Sequence, residues 1–176
     1  GLVMLHVMDD LDKAVERLDE KHNVARINKW TALALKSRAA LWEGTWRVYH
    51  SDHVFAPKND PTEFDGKPVE LSAEYFLNIA ADAAGQVIYN SGHSLYNGSG
   101  KDINYRMLFA TEDAREDEVM LAILYNYSTL KFGHAFQSKY YEQSIGFTRR
   151  FVNHYLMADG TRFTDRPDAD RTWYLD

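Results

Sequence analysis

Residues 28–50 read NKWTALALKSRAALWEGTWRVYH, and this stretch decides the fold class. Ala32, Leu35, Ala39, Trp42, Trp46 and Tyr49 recur at steps of three or four, the spacing of one helix face. Leu33, Ala34, Ala40 and Leu41 widen the stripe. The pattern predicts a long, largely buried helix with Trp42, Trp46 and Tyr49 in the core. Asn28 stands where its side-chain oxygen can cap the first turn. Gly44 costs the helix about 1 kcal/mol against Ala and offers a place for close packing.

Working outward, Met8, Leu11, Val15 and Leu18 predict a helix over residues 5–18, with Asp9, Asp10 and Asp12 near its start. His22-Asn23 marks the break. Downstream, Ala73, Phe76, Leu77, Ala80, Ala84, Val87 and Ile88 predict a helix over residues 72–89. Its alanines imply a close helix–helix contact, and Gly92 suits the position just past its end. Between the two long helices, residues 50–68 hold Pro57, Pro61 and Pro68 and read as a long polar loop. A turn at residues 97–100, a short helix over 103–109 and a charged turn at 112–117 follow. Residues 118–128 read as a strand, with helix as the alternative. Residues 147–156 read as a helix stopped by Asp159-Gly160. The fold class is therefore mainly α. Residues 1–97 form tetratricopeptide-like helical hairpins, and residues 98–176 form a mixed, turn-rich region with a short strand.

The chain of 176 residues carries 26 acidic and 20 basic side chains, a net charge of −6. That balance excludes a binder that neutralises nucleic-acid phosphates over a basic footprint. Without cysteine there is no disulfide framework, thiolate metal site or Cys nucleophile. No run approaches the ~20 apolar residues of a membrane-spanning helix. Position 1 is Gly, and apolar Trp173 and Leu175 stand at the other end without a stop signal. The chain reads as an internal segment of a longer protein.

Several motifs fail on inspection. Gly98-Ser-Gly100-Lys101 suggests a phosphate loop, but Leu95 stands where a Walker A needs Gly and Asp102 where it needs Ser or Thr. The loop is an ordinary turn. His50, Asp52 and His53 lack a further ligand at fixed spacing and read as a polar loop, with metal ligation as the weaker alternative. Asp165, Asp168 and Asp170 lack the glycine and the closing Glu of a calcium loop. No zinc-protease or serine-hydrolase motif occurs, so catalytic readings are weak, and no cofactor is expected.

The aromatic content is high, at 14%. One group, Tyr125, Tyr127, Phe132, Phe136, Tyr140, Tyr141 and Phe147, follows no helical period. Gln137, Gln143, Arg149 and Arg150 lie among these rings. Rings beside planar polar groups suit a sugar, whose apolar face stacks while its hydroxyls take edge contacts. The other reading is a loop pinned to the core by its rings. The candidate ligand residues are Tyr127, Phe136, Gln137, Tyr140, Tyr141, Gln143 and Arg149.

Several segments together resemble one family. Residues 28–50 look like the long tetratricopeptide helix of SusD/RagB-like proteins, and residues 9–18 resemble the helix upstream of it. Residues 80–88, Ser91-Gly92, Leu95-Tyr96 and residues 105–109 resemble the next helix and the following turn. Glu118-Val119 resembles the opening of the family's next strand, and residues 151–160 its Y-L-m-x-D-G segment. The matches keep the family's order. The resemblance implies a largely helical, non-catalytic, lipid-anchored protein on the outer-membrane surface of Bacteroidetes. It implies an oligosaccharide or other nutrient as ligand, and a SusC-like TonB-dependent transporter as partner. It also implies a protein much longer than this chain, with residues 50–68 as a variable insertion. It carries no ligand residue onto this sequence.

Overall fold

The computed structural model describes residues 1–53, 60–111, 113–123, 125 and 146–165. The protein is mainly helical, with a small two-stranded antiparallel sheet. It divides into two compact units, Gly1–Leu124 and Tyr125–Asp176. The first unit runs past residue 97, where the sequence places the change from helical to mixed structure.

The first unit begins with α1 (Leu2–Arg17) and α2 (Lys29–Tyr49). Asn28 caps α2 as its sequence predicts. Its side chain accepts from Thr31 N at 3.0 Å, and Thr31 Oγ1 accepts from Asn28 N at 2.7 Å. The linker is tied back by Trp30 Nε1, which donates to Glu20 O at 3.1 Å, and Lys29 N, which donates to Asp19 O at 2.8 Å. Helix α3 (Ala73–Asn90) starts at Ser72, whose hydroxyl accepts from Tyr75 N, and ends before Gly92, at φ 76°.

Trp30 and Leu33 pack with Ala83 and Val87, while Gly44 lies against Leu77 and Ala73, so α2 and α3 run antiparallel. A Cβ at Gly44 would fall 2.8 Å from Leu77 Cγ and 3.2 Å from Ala73 O. Ser37 Oγ donates to Ala80 O at 2.8 Å. These small residues set the approach of the two helices. Leu5 and Met8 of α1 join Ala40, Leu71, Phe76 and Ala80 in the main core.

The buried face of α2 differs from the expected one. It comprises Trp30, Ala32, Leu33, Ala40, Glu43, Gly44 and Arg47. Trp42 is 60% exposed, Tyr49 83% and Leu35 56%, so the Trp42/Tyr49 stripe lies outside the core. The helix is apolar on two sides, and the side with small residues admits α3.

The loop expected over residues 50–68 contains a hairpin, β1 (Pro61–Phe64) paired with β2 (Lys67–Glu70). Phe64 pairs with Lys67, leaving the two-residue turn Asp65-Gly66 at φ 51° and 71°. Positive φ at both positions is the geometry that Asp-Gly favours in tight hairpins. Phe64 and Val69 pack on the main core, which supplies the support a lone hairpin lacks. Arg47 pins the hairpin's ends to α2. Its Nη1 donates to Leu71 O at 2.7 Å and reaches Asp60 Oδ2 at 3.3 Å, while Nε donates to Glu43 Oε1 at 2.8 Å.

Helix α4 (Asn104–Ala110) matches the short helix expected there. Residues 118–123 do not form the expected strand. Glu118 N and Val119 N turn back to Arg115 O, and Ala122 N makes a single bond to Val24 O at 2.7 Å. The segment straps the α1–α2 linker, and Met120 packs against Trp30 and Leu33.

In the second unit the helix expected over residues 147–156 shrinks to one turn, α5 (Arg149–Val152). His154 N and Tyr155 N bond three residues back, tightening the chain, and Leu156 leaves to bridge Arg162. The intervening turn has Gly160 at φ 84°. A 3-10 turn, Phe163–Asp165, follows. Among the described residues no helix is long and apolar enough to cross a membrane.

Candidate functional site

Of the ligand residues expected from sequence, Tyr127, Phe136, Gln137, Tyr140, Tyr141 and Gln143 lie outside the described residues. Arg149 is described, and it lies on an open cleft within the second unit. Arg150, Asn153, His154, Leu156, Arg162 and Thr164 complete the lining, and the cleft measures about 570 Å³.

Local folding explains this gathering. Thr148 Oγ1 accepts from Phe151 N at 3.2 Å and starts α5, so that Arg149 and Arg150 occupy its first turn. The chain then reverses at Asp159-Gly160. Asp159 Oδ1 accepts from Thr161 N at 2.9 Å and from Thr161 Oγ1 at 2.7 Å. These bonds hold the Asp159 carboxyl below its ordinary pKa, the hydroxyl contributing most. Met157 N donates to Thr161 O, and the Leu156–Arg162 bridge returns Arg162 to the cleft. Three arginines thus line one opening in a chain of net charge −6. Arg150 and Arg162 have no carboxylate partner among the described residues. Asn153, His154 and Thr164 add polar groups to the same wall.

Rings stand beside this cleft in sequence. Phe147 and Phe151 stack with centroids 5.1 Å apart, and Phe151 meets Tyr155 edge-on at 5.7 Å. Phe147 is 73% exposed and Tyr155 61%. A cleft with planar cations beside amide and hydroxyl groups can orient a hydroxylated or anionic small molecule. Sequence reasoning named Arg149 and passed over Arg162, Asn153 and Thr164. The one available signal was the Asp-Gly turn, which folds the chain back on itself.

The first unit carries a second aromatic surface. Trp42 stacks on Trp46 at 6.4 Å, and Trp46 stacks on His50 at 4.7 Å, with interplanar angles of 18° and 17°. His53 meets Trp46 edge-on at 6.1 Å. The two histidines weighed as metal ligands thus pack on a tryptophan, and no cluster of three metal-ligating side chains occurs among the described residues. Asp168 and Asp170 lie outside the described residues.

Near the α1–α2 linker, the rings of His22 and His93 meet edge-on at 4.5 Å. The Nε2 atom of each is buried without a hydrogen-bond partner. Burial, and then the neighbouring His22, lower the His93 pKa.

The chain matches no family model, no curated protein and no solved structure.

Proposed function

We propose that this chain is part of a non-catalytic, nutrient-binding component of an outer-membrane uptake system of the SusC/SusD kind, with a glycan as the nutrient. The observation that carries the reading is the packing of α2 on α3. Two of the segments that resemble SusD/RagB-like proteins, residues 28–50 and 80–88, form a closely apposed antiparallel pair, as tetratricopeptide units require. The ring-rich second unit with its arginine-lined cleft supplies the ligand side. Stacking on rings and edge contacts to polar groups capture sugar without chemistry on it. Affinity per site is modest, because one stacked sugar buries little area and must be handed on. The protein sits at the cell surface, lipid-anchored on the outer membrane, over a TonB-dependent transporter.

Affinity electrophoresis of the protein through gels containing a panel of polysaccharides tests this reading. Retardation by at least one glycan is expected, and migration unchanged in every gel overturns it.

A second reading, a helical scaffold that binds only protein, is favoured by one observation: Leu35, Trp42 and Tyr49 are exposed along α2. Under the first reading that same face is offered to the transporter. A scaffold of this kind leaves every polysaccharide gel unaffected.

A further inference from the structure

We infer that the cleft of the second unit receives the anionic group of an acidic sugar, a carboxylate or a sulfate ester, so that the nutrient is an acidic polysaccharide. This rests on the nutrient-binding reading and narrows its ligand.

Acidic residues outnumber basic ones over the whole chain. Yet Arg149, Arg150 and Arg162 line one opening together. Arg150 and Arg162 find no carboxylate among the described residues. Asp159 is taken up by Thr161, and neither it nor Asp165, each three residues from Arg162, lines the cleft. Cations that share one opening repel one another, and an anion there relieves that repulsion.

The guanidinium fork matches carboxylate and sulfate oxygens in pairs, and such charge-assisted bonds are roughly twice as strong as neutral ones. The rest of the wall carries other groups. Asn153 and Thr164 suit hydroxyls, and Leu156 adds an apolar patch. A sugar ring bearing one anionic substituent can engage both the arginines and these groups, which a bare inorganic anion does less fully. The volume, about 570 Å³, suits one or two sugar rings. An extended nucleic-acid backbone needs a longer basic track, which a chain of net charge −6 does not supply.

The test is affinity electrophoresis and titration calorimetry of the protein with polygalacturonate, chondroitin sulfate and neutral dextran and xyloglucan. Tighter binding to an acidic polymer than to both neutral ones, weakening as salt rises, is expected. The variants R150Q and R162Q should each weaken acidic binding roughly tenfold, the loss of one charge-assisted contact. Circular dichroism should show their fold unchanged, since both side chains are exposed. Binding to a neutral glycan alone overturns this inference and leaves the nutrient-binding reading standing. Binding to none of the four polymers overturns the inference, and the wider polysaccharide panel then decides the reading beneath it. Acidic binding unchanged in both variants also overturns the assignment of this cleft.

Discussion

The two apolar faces of α2 have opposite fates. One carries Trp30, Leu33, Ser37, Ala40, Gly44 and Arg47, and it meets α1, α3 and the hairpin. The other carries Leu35, Trp42 and Tyr49 and remains exposed. The outer face is the bulkier and, by transfer energy alone, the better candidate for burial. Side-chain size decided otherwise. Gly44 and Ala40 let α3 approach, and a ring at either position would hold it away. The inner face even accommodates a charged pair, because Glu43, Asp60 and Leu71 O together satisfy Arg47. A helix chooses the face its partners fit.

The sharpest way to break this comparison is at Arg47. Arg47→Ala should cost about 3–5 kcal/mol, because Glu43 stays buried without its cation and the hairpin loses its pin. Urea unfolding measures this, and a loss below about 1 kcal/mol would show that the network does not hold the inner face. Ala80→Leu comes next, with an expected cost of about 1–3 kcal/mol from overpacking against α2. A melting temperature equal to that of the unaltered protein would count against the close contact.

A smaller effect depends on pH. His93 has its folded pKa lowered below the ordinary 6.5, so the unfolded chain takes up this proton first as pH falls. The stabilisation is complete above the ordinary value and lost as pH falls through the folded one. Melting temperature should therefore drop between neutral and mildly acidic pH, and H93N should reduce the drop. An equal drop in that variant would assign the effect to other groups. The smallest effect belongs to the outer face: Trp42→Ser and Tyr49→Ala should each change stability by no more than about 0.5 kcal/mol. A loss of several times that would place these rings in a packed interface.

Much of the fold was legible where local chemistry governs. Asn28 and Ser72 mark helix starts through bonds within a few residues, Gly92 marks a helix end through its positive φ, and the structure keeps all three. Which face of α2 is buried was not legible, because two stripes share the same period and only the position of α3 separates them. The hairpin was hidden by Pro61 and Pro68, which argue against a strand. A two-stranded sheet consists entirely of edges, where proline is tolerated. Residues 118–123 have strand composition, but their backbone groups find Arg115 and Val24 in place of a neighbouring strand. In the cleft, Arg149 was visible through its aromatic company. Arg162 reaches it only through the Leu156 bridge, a contact that composition does not reveal.

As proposed, the protein binds glycan and leaves it intact. Saturation-transfer NMR of the protein with oligosaccharides from a retarding polysaccharide, followed over a day in one tube, reads both halves at once. The account predicts transfer to the sugar protons and a constant set of anomeric signals. New reducing-end signals, or no transfer to any sugar proton, would contradict it.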